Sequence, residues 1–156
     1  MADPLAAIQS QAAQMEAAVA ALADHPRAVI CGGPRCGKTT VAARVAERYR
    51  RRLLPGDGLV GLLEWSDASA QVALWLDLPG DWVIEGVVAA RALRKWMAAY
   101  PGERLPAAVL RLETPVHARG DALAAMAKGE ATVWAGIADE LLQVATVIAV
   151  PDSAGP

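Results

Sequence analysis

Phenylalanine is absent from this 156-residue chain, and aromatic residues make up only 4% of it. Alanine and leucine supply most of the 54% apolar share, which favours helices and a finely packed core. Cysteine occurs twice, at Cys31 and Cys36, so neither a disulfide scaffold nor a four-ligand zinc site can come from these alone. Cys31 reads as a core residue and Cys36 as a small loop residue, and a reduced, cytoplasmic setting fits. The opening "MADPLAAIQSQAAQMEAAVAAL" has no basic start and carries Asp3 and Glu16, so no signal peptide is expected. No apolar run reaches the roughly 20 residues that span a bilayer, so no membrane is expected as a partner. Internal repeats and low-complexity linkers are missing. Charge of one sign is missing too: the net is −2, and nothing global marks a nucleic-acid protein, although a local basic face is allowed. The length predicts one domain over residues 1–156.

What is present is an alternation. Residues 4–23 predict an amphipathic helix ahead of the core, with Leu5, Ile8, Ala12, Met15, Val19 and Leu22 at steps of three and four. Docking on the core is the plain reading of that helix, and pairing with a partner or a second copy (a homodimer) is the lesser one. His25-Pro26 ends it. "AVIC" (28–31) predicts a buried strand, and a helix follows from about Lys38 to Leu53, broken by "PGDG" at 55–58. "LVGLL" (59–63) predicts the second strand, "ASAQVALWLDL" a helix, "WVIEG" (82–86) the third strand and the stretch to Tyr100 another helix. "AAVLRL" (107–112) predicts the fourth strand, Asp121 to Gln143 a helix interrupted near Gly129, and "TVIAV" (146–150) the fifth strand before the tail "PDSAGP". Strands alternating with helices imply an α/β fold whose parallel sheet is covered on both faces.

The turn after the first strand carries chemistry. Gly32, Gly33, Pro34, Arg35, Cys36, Gly37, Lys38 and Thr39 match G-x-x-x-x-G-K-[ST], and Thr40 follows. A buried strand before the motif and a helix after it supply the context such a loop needs. Glycine lets the backbone curl its N–H groups inward at phosphate oxygens, and the helix N-terminus adds partial positive charge. Lys38 is expected to reach the β- and γ-phosphates and Thr39 to ligate Mg²⁺, with ATP as the nucleotide. Arg35 stands where many kinases with proline at the third position have glycine. It either lies over the phosphates or points to solvent.

A second acidic group is needed near the metal or the attacking oxygen. Glu85 closes the apolar strand "WVIEG" at its C-terminal end, where open α/β sheets place ligands. It is a candidate for metal support and catalysis, or else a helix N-terminal carboxylate. Asp67, in "EWSDAS", follows the predicted second strand, where kinases with this loop often keep the residue that orients or deprotonates the acceptor. An N-cap role for Ser66 or Asp67 is the competing reading. Glu64 is a weaker candidate, and Asp77 and Asp81 stand behind these. Cations for the moving charge come from Arg91, Arg94 and Lys95 after Glu85, and from Arg111, Arg119 and Lys128 around the region where a lid is expected. Arg48, Arg50, Arg51 and Arg52 sit at a helix C-terminus, where cations are favoured anyway. His117 reads as a surface loop residue. Trp65, beside Asp67, is the aromatic on which a planar acceptor could stack.

Taken together, "GGPRCGKTT", "EWSDAS", "DWVIEGVVAARALRKW" and "AMAKGEATVW" resemble small phage-encoded P-loop kinases over roughly residues 27–150. Among these are the DNA kinases of thymine-hypermodifying phages. The resemblance implies a three-layer P-loop kinase-like fold with about five parallel strands. It implies roles for Lys38 and Thr39 with ATP and Mg²⁺, and for Glu85 and Asp67. It also implies phosphorylation of the hydroxymethyl group of 5-hydroxymethyluracil in DNA, a step in protecting a phage genome from host restriction, in the host cytoplasm. A base inside a duplex is out of reach, so such an enzyme must flip it or take melted DNA. A kinase for a free (deoxy)nucleotide or other small molecule has the same loop with a closed acceptor pocket. An NTP-driven switch or assembly module is the third reading.

Overall fold

The computed structural model describes residues 3–115 and 119–150. His117 and the tail after Val150 lie outside them.

Helix α1 (Pro4–Ala21) begins where the Asp3 carboxylate accepts a hydrogen bond from the Leu5 N–H at 3.0 Å, with Pro4 in the first turn. Only the C-terminal part of its apolar stripe is buried. Ala18, Val19 and Leu22 enter the core, whereas Leu5 and Ile8 are exposed. Strand β1 (Arg27–Cys31) follows, then helix α2 (Lys38–Tyr49).

The second strand is not "LVGLL". It is β2 (Arg52–Pro55), a segment expected to finish the preceding helix. Arg50 explains the difference: it takes left-handed φ/ψ of 57° and 56° and stops α2 without glycine or proline. A non-glycine residue there costs roughly 1–2 kcal/mol, so tertiary pairing rather than local preference sets this boundary. β2 is an edge strand, which is why Pro55 is tolerated in it. Residues 56–63 instead form a 3₁₀ turn (Gly56–Leu59) and a loop with Gly61 at φ 94°. Leu62 is left exposed there.

Helix α3 (Trp65–Trp75), strand β3 (Trp82–Glu85), helix α4 (Ala89–Ala99) and strand β4 (Ala108–Arg111) come next. Helix α5 (Asp121–Val144) and strand β5 (Val147–Ala149) complete the fold. No break occurs at Gly129; α5 runs straight through it. A mid-helix glycine costs only roughly 0.5–1 kcal/mol, and the buried face Val133, Ile137, Leu141 and Val144 outweighs that.

The five strands are parallel in the order β2-β3-β1-β4-β5. Helices α1 and α2 pack on one face around Ile30, Val41, Val45 and Val83, while α3, α4 and α5 pack on the other around Val29, Ile84, Leu93 and Ile137. The inner strands are therefore apolar almost without alternation, as a sheet buried on both faces requires. Register aligns Ile30 of β1 and Pro55 of β2 with Glu85 of β3. Three chain reversals thus leave the C-terminal edge of the sheet at one level.

The phase of α5 can be tested at two adjacent leucines. Leu141 is fully buried and Leu142 is 63% exposed. Leu141→Ala should cost about 2–5 kcal/mol and Leu142→Ala no more than about 0.5 kcal/mol, measured by urea unfolding.

Candidate functional site

The glycine-rich loop leaves β1 and enters α2 at the C-terminal edge of the sheet. A Cβ on Gly32 would come within 2.4 Å of the Leu112 carbonyl oxygen, so only glycine lets the loop lie this close to the end of β4. Arg35 has φ 66°, a left-handed conformation that glycine adopts freely. Its side chain is exposed. Lys38 is buried, and its ammonium donates to the Gly33 carbonyl at 2.5 Å, closing the loop on itself.

Two carboxylates meet this loop. Glu85 is 2% exposed, and the Thr39 hydroxyl lies 3.5 Å from its Oε2. The second is Asp57, two residues beyond β2, whose Oδ1 accepts the Val87 N–H at 2.8 Å. Gly86 makes that approach possible: its φ is 149° and a Cβ there would lie 2.9 Å from Asp57 Oδ1. Burial, and then the negative charge of Asp57, push the Glu85 carboxyl up to about 7, against the pull of Lys38 and the Thr39 hydrogen bond. The Thr39 hydroxyl and the Glu85 carboxylate beside it are hard-oxygen donors of the kind Mg²⁺ takes alongside phosphate oxygens.

A cavity of about 710 Å³ opens over the loop. Arg35, Lys38, Thr39, Thr40, Asp57 and Val87 line it, joined by Gln11 and Met15 of α1 and by Leu123 and Met126 of α5. Asp67 is not among its residues. It is exposed on the first turn of α3 and faces a separate surface hollow with Glu64 and Trp65. Asp77 is occupied by the Trp96 indole N–H at 3.0 Å and the Tyr100 hydroxyl at 3.1 Å. Asp81 lies 3.9 Å from Arg51.

The candidate cations divide. The Arg119 guanidinium lies on the loop, donating to the Pro34 carbonyl at 2.8 Å and reaching the Cys36 sulfur at 3.2 Å. Arg91 sits over the Trp65 ring at 5.7 Å. Lys95 donates to the carbonyl and hydroxyl oxygens of Ser66, tying α4 to the start of α3, while Arg94 and Lys128 are exposed. Arg111 pairs with the buried Glu130 and covers the Trp134 ring at 4.6 Å. Arg48 bridges to Glu16, and Arg51 donates to the carbonyls of Tyr49 and Ala23. Cys31 is fully buried and its thiol is driven far up by desolvation, as befits an inert core residue.

Asp57 is the residue that sequence reasoning missed. The rule that singled out Glu85, a carboxylate just past the C-terminal end of a parallel strand, applies to it equally. The strand had to be placed at 52–55 for the rule to be used.

The strand order and the loop between β1 and α2 define the fold class: an α/β fold whose five-stranded parallel sheet carries a G-x-x-x-x-G-K-[ST] phosphate-loop motif at its C-terminal edge. No protein-family model and no curated protein matches the chain. Among solved structures, a shikimate kinase from Acinetobacter baumannii in complex with shikimate is similar at 15% identity, over 88% of this chain and 89% of that one, with a TM-score of 0.49. Among the described residues no helix is long and apolar enough to cross a membrane.

The raised Glu85 carboxyl has a consequence for stability. Between pH 4.5 and about 7 the folded chain holds a proton on Glu85 that the unfolded chain has released. This group's contribution to stability therefore falls as pH rises through that window. In urea titrations with EDTA present, the stability difference between Glu85→Gln and wild type should move in the variant's favour from pH 4.5 to 7. A flat difference would show that Glu85 is ionised throughout.

Proposed function

We propose that the chain is an ATP-dependent kinase that moves the γ-phosphoryl group of the nucleotide onto a hydroxyl acceptor. The observation that carries this reading is the convergence of Lys38, Thr39, Glu85 and Asp57 at the mouth of one glycine-rich loop. Two carboxylates beside the loop provide one group for the metal and one for the hydroxyl that receives the phosphoryl group. The backbone of residues 32–40 and the α2 N-terminus hold the phosphates, and Lys38 exchanges its Gly33 carbonyl for phosphate oxygens. Thr39 and Glu85 would hold Mg²⁺, which supplies charge neutralisation on the β- and γ-phosphates. Arg119, already on the loop, adds a guanidinium to the same face.

The structure suggests a division of labour between the carboxylates. Glu85 is buried and faces Thr39, which suits metal support. Asp57 is exposed, lines the cavity and is fixed by the Val87 N–H through Oδ1, leaving Oδ2 for the acceptor hydroxyl. We assign to Asp57 the acceptor-orienting role that the sequence suggested for Asp67.

For the acceptor, the resemblance supports the hydroxymethyl group of 5-hydroxymethyluracil in DNA. One observation favours a smaller acceptor, a free (deoxy)nucleotide or other small alcohol. The cation cluster that would track a DNA backbone is broken up, since Lys95 is bound to Ser66 and Arg91 is stacked on Trp65.

Transfer of label from γ-labelled ATP to free nucleosides, nucleotides, plain DNA and hydroxymethyluracil-containing DNA tests these readings together. Label in hydroxymethyluracil DNA, absent from thymine DNA and weakened by salt, is the outcome for a DNA kinase. Label in free acceptors alone selects the small-molecule kinase, and no label in any acceptor overturns the proposal. Lys38→Ala should abolish transfer with the circular dichroism spectrum unchanged. Asp57→Asn should lower kcat by roughly 10²–10⁴, the scale of general-base assistance. A larger loss in Asp67→Asn would return the role to Asp67.

A further inference from the structure

Helix α1 overshoots the sheet it covers. Its last turn leads through His25-Pro26 to the start of β1, so its first turns stand at the sheet's C-terminal edge and beyond it. Met15 packs beside Cys36 and Leu112, at the level of the glycine-rich loop. At 1.5 Å per residue, residues 4–14 carry the helix about 16 Å further. This overhang is uncharged: "PLAAIQSQAAQM" (4–15) holds no acidic or basic side chain. Charged residues are the usual outer covering of a surface helix, and in α1 they begin only at Glu16. Ile8, Gln11 and Met15 fall at steps of three and four, on the stripe that is buried further along at Val19 and Leu22.

That stripe forms one wall of the cavity over the loop, where Gln11 and Met15 join Thr40 and Arg44 of α2. The strand order fixes which end of the cavity this is. Met15 lies against Leu112 and Val150, at the ends of β4 and β5. Asp57 follows β2, on the opposite side of β1. From β2 to β4 there are three strand spacings, about 14 Å, with the loop between them. The carboxylates therefore stand on one side of the phosphate cradle and the uncharged helix on the other. Gln11 is half-buried, and its amide has no hydrogen-bonded partner among the described residues. A donor and an acceptor thus face the cavity from one side chain, one turn of helix from a thioether.

We propose that the overhanging wall of α1 is the nucleobase subsite: Met15 lies against the ring face and the Gln11 amide pairs with the ring edge. The assignment rests on the nucleotide reading of the loop for its ligand. The charge of a triphosphate is met at the loop by Lys38 and the α2 N-terminus, and what extends beyond is flat and neutral. An uncharged wall carrying a thioether and an amide matches that part. The amide donates to the N1 of adenine while accepting from its N6–H; turned over, it donates to the O6 of guanine while accepting from its N1–H. One side chain thus serves both purines, so GTP is used beside ATP.

Base binding can be separated from phosphate binding and from transfer. The intact chain is titrated calorimetrically, with Mg²⁺ present, with non-hydrolysable analogues of ATP and of GTP and with tripolyphosphate, which has no base. The two analogues should bind within about threefold of each other, because one amide pairs with either edge. Gln11→Ala should weaken both about fivefold or more, the loss of hydrogen bonds between uncharged groups, and leave tripolyphosphate binding unchanged. Alanine is the better helix former, so a loss in this variant does not come from a frayed α1. Gln11→Glu is the sharper test. A carboxylate accepts from guanine N1–H and N2–H together, whereas at adenine it meets one donor beside the N1 lone pair, so this variant should prefer the GTP analogue by about tenfold or more. Unchanged analogue affinity in Gln11→Ala, no base preference in Gln11→Glu, or an equal loss for tripolyphosphate overturns the subsite. Affinity that rises with protein concentration assigns the overhang to a second copy of the chain and overturns it as well. The expected binding pattern with no label transferred to any acceptor overturns the kinase reading and leaves the subsite standing.

Discussion

The parallel pairing of β3 with β1 on one side and β2 on the other is the constraint from which the rest follows. It sets Ile30, Pro55 and Glu85 at one level, so β2 and β3 turn at their next residue and β1, which continues through Cys31, turns one residue later at the same edge. The glycine-rich loop, the Gly56-Asp57 turn and the Gly86-Val87 turn are then neighbours by necessity. Asp57 reaches the Val87 N–H only because this register holds. A slip of one residue in β2 would move Asp57 by about 3.3 Å and reverse the facing of every side chain in that strand.

A few charged side chains lie where the sheet is covered. Lys38, Glu85, Arg111 and Glu130 are all buried, and each is costly to desolvate without a partner. The costs are met unequally. Lys38 folds back on a carbonyl and Arg111 has both a carboxylate and an aromatic face. Glu85 has only a hydroxyl at 3.5 Å and a second carboxylate nearby, and one oxygen of Glu130 has nothing. Among these four charges, incomplete pairing is confined to the two carboxylates.

Most of the architecture was legible in the sequence because its signals were local. Four of the five strands were short apolar runs bounded by turns, three of them buried, and the loop motif lay between a strand and a helix. The failures were of one kind. The end of α2 carries no glycine or proline, only an arginine forced into the left-handed region, so β2 was hidden inside an apparent helix and a glycine-bearing apolar run took its place. Asp57 was hidden with it. Gly129 misled in the opposite direction, since a break expected from a local cost is overruled by packing along 24 residues. Lys95 read as a free cation because its partner, the Ser66 carbonyl, is a backbone group 29 positions away that no side-chain pattern announces.

The placement of α1 carries one more consequence. Its first turns are exposed at Leu5 and Ile8, and its last turns are fixed in the core at Val19 and Leu22. Gln11 and Met15, between the exposed first turns and the buried last turns, line the cavity over the loop. An isolated helix end of this length is marginal in water, because nucleated turns need contacts to persist. Anything that fills the cavity and touches those two side chains supplies such contacts. By linkage, a ligand touching those two side chains would favour helix in the first turns, and a label there would respond to occupancy of the distant site.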